Sequence, residues 1–511
     1  FFAGNPAQPD AWRDAIARVT RAPRDRRAIV LALEGQLAAR NAPVLARQAA
    51  ARLADPSAVA VVTGQQAGLF GGPLYTLLKA ITAIQLAREV ASLHGVPAIP
   101  VFWVAGEDHD WLEVRTARFL DGEFGRREVT LPDLPGAGVR PIDALVLDES
   151  IEDAIQALEA GLPVTEFKAD VVARLRKHYR PGVSMARAFA CWIDDLLGAH
   201  GLVVFEGSDP GAKPIVADLF AREMADPARS VSLVASASAD LRARGLEPQV
   251  EPAEDGTTLF YLDATGRHAI KRKGHGLSIA GRERSAAEVS GEAAAHPERF
   301  SPNVLLRSVV QDRLFPTICY VGGPAEIAYQ AELGGIYHAQ DVERPLLCPR
   351  ASATLIDSAA AKFIDRPDVT FASLQPQNES LLNLLLANQL PPALDRGLDE
   401  AARAVREQLD RIREALATVD PTLVGAADTT RDRMLDSLTQ LQGKVVQASK
   451  RKDDTLRRQF LRTRALVFPC GHPQERDLSV AFFVSRHGPA LVDRLVDGLP
   501  HDANFHYLVL G

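Results

Sequence analysis

Three carboxylates and one imidazole occupy consecutive positions, Glu107-Asp108-His109-Asp110, just after the apolar run Ala98-Ile99-Pro100-Val101-Phe102-Trp103-Val104. Crowded carboxylates push one another's pKa up, and a neighbouring carboxylate orients an imidazole and favours its charged form. The group suits general acid–base work, such as taking a proton from an attacking amine. It also resembles a metal-ligand cluster, but no second histidine stands at i+4, and no metal is assigned. A solvated acidic turn with a helix N-cap is the plainer alternative.

A second candidate is Thr63-Gly64-Gln65-Gln66-Ala67-Gly68-Leu69-Phe70-Gly71-Gly72-Pro73. An apolar run at 59–63 turns through glycines into a helical pattern that Pro73 opens. Such a turn presents unpaired backbone N–H groups to a phosphate or a carboxylate. The loop matches neither G-x-G-x-x-G nor the Walker A pattern, so generic nucleotide chemistry is not licensed. Gln65 and Gln66 can orient a sugar hydroxyl, a carboxylate or a nucleobase without adding charge. The alternative is a turn needed only for packing. Basic residues are mostly arginine, which draws notice to Lys79 on the following helix.

Asn303, Arg307 and Gln311 recur at i, i+4 and i+8 on an otherwise apolar segment. They form one polar stripe. Turned into a cleft, it makes Arg307 an anion clamp; otherwise it is the wet face of a surface helix. A second glycine turn, Gly322-Gly323-Pro324-Ala325-Glu326, also enters a helix. Glu326 falls where the helix dipole favours an acid, so capping competes with ligand contact. Gln330 shares its face. The basic run Lys271-Arg272-Lys273 reads as a solvated hairpin edge.

Elements able to position these groups follow from the pattern. Apolar runs at 59–63, 98–104, 202–205, 317–321 and 346–348 each end in a polar or glycine turn that starts a helix. This is βαβ grammar and implies an α/β fold with parallel strands and right-handed crossovers. Ligands collect at the carboxyl ends of such strands, near a topological switch point. Residues 10–55 read as amphipathic helices. Insertions are expected at about 120–180 and 245–300, the latter with a β-hairpin turning at Ala264-Thr265-Gly266. From Leu394 to Val445 apolar residues keep 3–4 spacing, broken at Asp420-Pro421, which predicts a helical hairpin with coiled-coil seams. Each arm would reach roughly 40 Å at 1.5 Å per residue. It serves either as a lid on the core or as a projecting arm that builds a homodimer. The division is 1–390 for the core with its insertions, 391–464 for the arm, and 465–511 for a segment returning to the core.

Composition narrows the class. A net charge of -7 gives no footprint for a nucleic-acid backbone. Cys191, Cys319, Cys348 and Cys470 form no C-x-x-C pair, so a disulfide framework and a zinc ribbon are not expected. No signal peptide or membrane-length apolar run is seen, and a cytoplasmic protein is expected.

Taken together, the motifs are familiar. The 63–75 loop, Pro100-Val101-Phe102-Trp103-Val104-Ala105-Gly106-Glu107-Asp108-His109-Asp110, Pro302-Asn303-Val304-Leu305-Leu306-Arg307, the 320–329 segment and Pro473-Gln474-Glu475-Arg476 resemble, in order, the bacillithiol biosynthesis cysteine-adding enzymes, or cysteine ligases. The similarity spans nearly the whole chain. It implies a Rossmann-like core with connecting insertions and a C-terminal antiparallel coiled-coil arm used for homodimerisation. It further implies that the carboxyl group of cysteine is joined to the amine of glucosaminyl-malate, with ATP, accompanied by magnesium, as the source of activation.

On this reading the carboxylate is activated as an adenylate or acyl phosphate. The glycine turns hold phosphates or the malate carboxylates. His109, oriented by Asp108 or Asp110, deprotonates the amine, and Arg307 with Asn303 grips anionic substrate. Two rivals remain: a metal-dependent hydrolase on the 107–110 cluster, and a nucleotide-sensing scaffold dimerised through the arm.

Overall fold

Each of the five apolar runs becomes a strand because it is short, bounded by turns and flanked by helices able to cover both faces. The computed structural model describes residues 1–274, 276–389, 392–452, 454–502 and 504–510. Strands Val59–Gln65, Ala98–Val104, Val203–Glu206, Thr317–Gly322 and Leu346–Pro349 form one sheet, all parallel. Across the sheet the order is Leu346–Pro349, Thr317–Gly322, Val59–Gln65, Ala98–Val104, Val203–Glu206. The chain grows outward one way from Val59–Gln65, then returns to add two strands on its other side. The order therefore reverses between Val59–Gln65 and Thr317–Gly322.

Period-two alternation sends successive side chains to opposite layers. Ala60 and Val62, with Val101 and Trp103, face a core shared with helices Arg26–Ala39 and Val304–Leu314. Val59 and Val61, with Cys319 and Val321, face helices Pro9–Arg21 and Leu74–His94, and Ile318 joins the same layer where the register between these strands shifts. Pro73 is the N-cap of Leu74–His94, one residue ahead of its expected place, and Gly95 ends that helix in the left-handed region at φ 66°.

The insertion at 245–300 is more than a hairpin. Strands Gly256–Asp263, Gly266–Lys273, Gly276–Ile279 and Arg282–Ser285 join Phe300–Pro302 in a second sheet, antiparallel throughout. Leu259, Ile270, Leu277 and Ile279 seal it onto the first core. The other insertion carries a hairpin, Thr116–Leu120 with Arg126–Thr130, and helices Ser150–Gly161 and Lys168–His178.

The chain forms two units, Phe1–Thr354 with Gln474–Leu508, and Leu355–Pro473 with Val509–Gly511. The boundary expected between 390 and 391, and the end at 511, lie outside the described residues. In the second unit, helices Pro392–Val419 and Val424–Lys452 run antiparallel, with Arg413 paired to Asp428 at 3.3 Å and Arg431 to Asp410 at 3.5 Å. Asp420 makes the turn, its Oδ1 accepting from Thr422 N–H at 2.9 Å. Leu394, Leu398, Val405, Leu409 and Leu416 are half-buried, whereas Ile412, Val419, Met434 and Leu441 are exposed.

Candidate functional site

The strand-order reversal leaves a crevice beyond the carboxyl ends of Val59–Gln65 and Thr317–Gly322, where crossover helices diverge to opposite sides of the sheet. A cavity of about 620 Å³ opens there. Gly64, Gln65, Gln66, Glu107, Asp108, His109, Asn303, Arg307 and Glu326 line it, and the second sheet closes the far wall with Thr257, Leu259, Phe260 and Arg267.

Behind its wall lies Lys79. The ammonium is buried and donates to Gly64 O at 3.0 Å and Gln65 Oε1 at 2.9 Å, and it pairs with Glu326 Oε2. Glu326 also accepts from Tyr320 OH at 2.9 Å and from Gly323 N–H at 2.7 Å. Burial pulls Lys79 below its ordinary pKa against the opposing pull of Glu326. Burial pushes Glu326 up, but Lys79 and the Gly323 N–H outweigh it, leaving that carboxyl below its usual value. Arg307 donates to Tyr329 OH at 2.9 Å; burial lowers its pKa, but the neighbouring Tyr329, Tyr320 and Glu326 raise it overall. Arg307 and Glu326 line the cavity, and Lys79 lies buried behind them.

Glu107, Asp108 and Asp110 do not converge. Glu107 pairs with the buried Lys213, whose Nζ also donates to Phe300 O at 3.0 Å. Asp108 accepts from Gln66 Nε2 at 2.7 Å and from His109 N–H at 2.8 Å. Burial raises the Asp108 carboxyl, but these bonds and the Arg267 charge bring it below its ordinary value. Asp110 caps the short helix Trp111–Val114 through Glu113 N–H at 3.2 Å. Each carboxylate thus has its own partner and none shares a ligand point with another. No group of three or more His, Cys, Asp and Glu suited to a metal ion occurs among the described residues. His109 Nδ1 lies 3.0 Å from Arg267 Nη1 and 3.7 Å from the nearer Asp108 oxygen. An arginine, rather than the expected carboxylate, faces the imidazole.

The glycine turns are packing devices rather than open cradles. A Cβ on Gly64 would lie 2.8 Å from Trp103 O of the neighbouring strand. Gly68 is absent from the cavity wall. Its N–H donates to Gln66 O at 2.9 Å, that of Gly71 to Tyr179 OH at 3.2 Å, and that of Leu74 to Leu478 O at 2.9 Å. These groups cannot also hold a phosphate. Thr63 is buried, its Oγ1 donating to Val321 O at 2.8 Å. Gly322 lies in a strand and Gly323 is an N-cap, its N–H taken by Glu326. Asn303 caps helix Val304–Leu314 through Leu305 N–H at 3.0 Å, and its Nδ2 donates to Thr257 O at 3.1 Å, so it shapes the wall with its polar atoms already engaged. The polar stripe breaks at Gln311, which is buried, and Gln330 is buried as well, its Nε2 donating to Ser308 Oγ at 2.8 Å.

Three site residues escaped sequence reasoning or were only glimpsed by it. Lys79 drew notice for its rarity, and its partner Glu326 was singled out separately. Lys213 and Arg267 sit in segments whose local pattern says only turn and hairpin. Farther out, Glu475 takes both ends of the Arg350 guanidinium at 3.0 and 2.6 Å, and that guanidinium lies 5.4 Å from the Tyr75 ring. Tyr75 OH in turn accepts from Gln65 Nε2 at 3.3 Å. Motifs far apart in the chain thus brace one glutamine.

Comparison with known proteins agrees with this architecture. Residues 1–351 match the family description "Bacillithiol biosynthesis BshC, N-terminal Rossmann-like domain", and residues 353–510 match "Bacillithiol biosynthesis BshC, C-terminal coiled-coil domain". A protein of Salinibacter ruber named "Putative cysteine ligase BshC" is 35% identical over 514 residues, covering 100% of this chain and 93% of the relative. Relatives of the same name from Koribacter versatilis and Symbiobacterium thermophilum are each 34% identical, covering 86% and 93% of this chain and 82% and 88% of themselves. The chain, matched over nearly its full length by both domains, belongs to the bacillithiol biosynthesis BshC family.

Proposed function

We propose that this chain is a ligase that joins the carboxyl group of cysteine to the amine of glucosaminyl-malate, the last step of bacillithiol biosynthesis. The observation that carries the reading is the convergence of four motif segments on one cavity with the Arg307 guanidinium in its wall. Arg307, in that wall, suits a carboxylate of the substrate. Gln66 and Asp108, hydrogen-bonded to each other, offer a polar edge for a sugar amine and its hydroxyls.

Condensing an amine with a carboxylate at neutral pH requires activation, which ATP with magnesium would supply when bound. The N–H groups of Gly68, Gly71, Gly72 and Gly323 are engaged within the protein and do not fit its phosphates, and no step is assigned to the nucleotide. The chain's own residues bind and orient the two substrates. A homodimer through the arm is part of this reading, supported by the exposed Ile412, Val419, Met434 and Leu441. So is action in the cytoplasm; among the described residues no helix is long and apolar enough to cross a membrane.

The test is incubation of the purified full chain with cysteine, glucosaminyl-malate, ATP and magnesium, with mass spectrometry of the products. An ATP-dependent amide of the two substrates is expected. Its absence with folded protein overturns the proposal.

A further inference from the structure

We infer that Arg267 fixes His109 as the tautomer protonated on Nε2, so that His109 is a hydrogen-bond donor to a substrate oxygen and not the base that deprotonates the amine. The inference rests on the proposed ligase reading and assigns a role within that site.

A guanidinium has five N–H donors and no acceptor. Arg267 Nη1 stands 3.0 Å from His109 Nδ1, so Nδ1 must accept, which places the proton of the neutral ring on Nε2. The alternative partner, Asp108, is too far from Nδ1 for a hydrogen bond at 3.7 Å, and its oxygens already accept from Gln66 and from His109 N–H. Glu107 is held by Lys213 and Asp110 by Glu113 N–H, so neither reaches the ring. No carboxylate is left to draw a proton onto Nδ1.

Arg267 is itself immobilised. Its side chain is 7% exposed and its guanidinium stacks 3.7 Å from the Phe260 ring centroid. Nη2 donates to Pro302 O at 3.2 Å and Nε to Ser301 Oγ at 3.3 Å. These partners lie on two strands of the second sheet, beside the Asn303 cap. The insertion therefore sets the proton position on a histidine in the turn that follows a strand of the first sheet, and Arg267 is a positioning residue. A fixed Nε2–H suits the carbonyl or carboxylate oxygen of a substrate.

The direct test is long-range ¹H–¹⁵N spectroscopy of ¹⁵N-histidine-labelled full chain, with the His109 signals assigned by their loss in His109→Gln. Nδ1 is expected to be unprotonated in the wild type, and the preference is expected to vanish in Arg267→Met. A protonated Nδ1 in the wild type overturns the inference. This measurement needs no turnover, so it stands even if the ligase reading fails.

Kinetics supply the second arm. His109→Ala is expected to lower kcat/KM about 100-fold, the usual effect of removing one oriented donor. His109→Gln, which keeps an N–H but cannot act as a base, is expected to recover most of that loss. A fall in kcat marks an oxygen that reacts, and a rise in KM for glucosaminyl-malate marks a bound carboxylate. Arg267→Lys, which keeps charge but loses the fork, guards against misfolding and is expected to lie between wild type and Arg267→Met. A Gln variant as slow as the Ala variant overturns the donor role.

Discussion

Lys79 meets Glu326 across the line where the sheet reverses its strand order: one residue rides the helix after the first strand, the other the helix after the fourth. The pair ties the two halves of the sheet together, with Glu326 in the wall of the cleft and Lys79 buried behind it. Removing one partner leaves a buried charge without compensation. Lys79→Met is expected to cost about 3–5 kcal/mol by chemical denaturation, and Lys79→Met with Glu326→Leu to cost less than the single change. Equal or greater loss in the double variant would contradict this.

Gly64 has no room for a side chain. A Cβ would sit 2.8 Å from Trp103 O and 3.0 Å from Trp103 Cβ on a rigid neighbouring strand. Gly64→Ala should therefore lower stability by about 1–3 kcal/mol, measured by thermal unfolding.

Gln66 holds Asp108 at 2.7 Å, on the face of the cavity assigned to the sugar substrate. Steady-state kinetics of Gln66→Ala should give a larger rise in KM for glucosaminyl-malate than for ATP. The opposite ranking would return this loop to nucleotide binding.

Asp143 supplies a pH dependence. Burial pushes its carboxyl up to about 6, with Glu107 adding to the rise and a bond from Ser208 opposing it. A carboxyl whose folded pKa exceeds its unfolded value binds its proton more tightly when folded. Its contribution to stability is present below the ordinary value of 3.8 and is lost as pH rises towards about 6. Asp143→Asn should flatten the stability profile across that window, measured by denaturation at stepped pH. Asp312, also raised to about 6 by burial, contributes in the same direction and remains in the variant.

The arm offers a separable test. Ile412 and Leu441 are 48% and 50% exposed, so charged replacements there cost little within one chain. Ile412→Asp with Leu441→Asp is expected to shift the protein to a monomer in analytical ultracentrifugation while its circular dichroism is unchanged.

Much of the fold was legible because its signals are local. Short apolar runs ending in glycine, and a 3–4 apolar repeat interrupted at Asp420-Pro421, mark strands and paired helices without reference to anything distant. The second sheet was legible only as its first hairpin; its remaining strands are four residues long or shorter. At the site, the 107–110 turn and the Gln65-Gln66 pair do face the cavity. The glycines are ambiguous for a physical reason. Close strand packing at Gly64 and a buried turn at Gly68 demand glycine as firmly as a phosphate cradle does, and a sequence cannot tell the two apart.

By itself, the sequence determined the strands of the parallel sheet, the helical arm and the family. Tertiary structure alone decided which partner each charged group received. His109 meets Arg267 from 158 residues away, and Asp110 turns aside to cap a helix. Periodicity records which face of an element is buried. Strand order and the docking of an insertion decide what lies opposite that face, and in a low-dielectric cleft the opposite group decides where the proton resides.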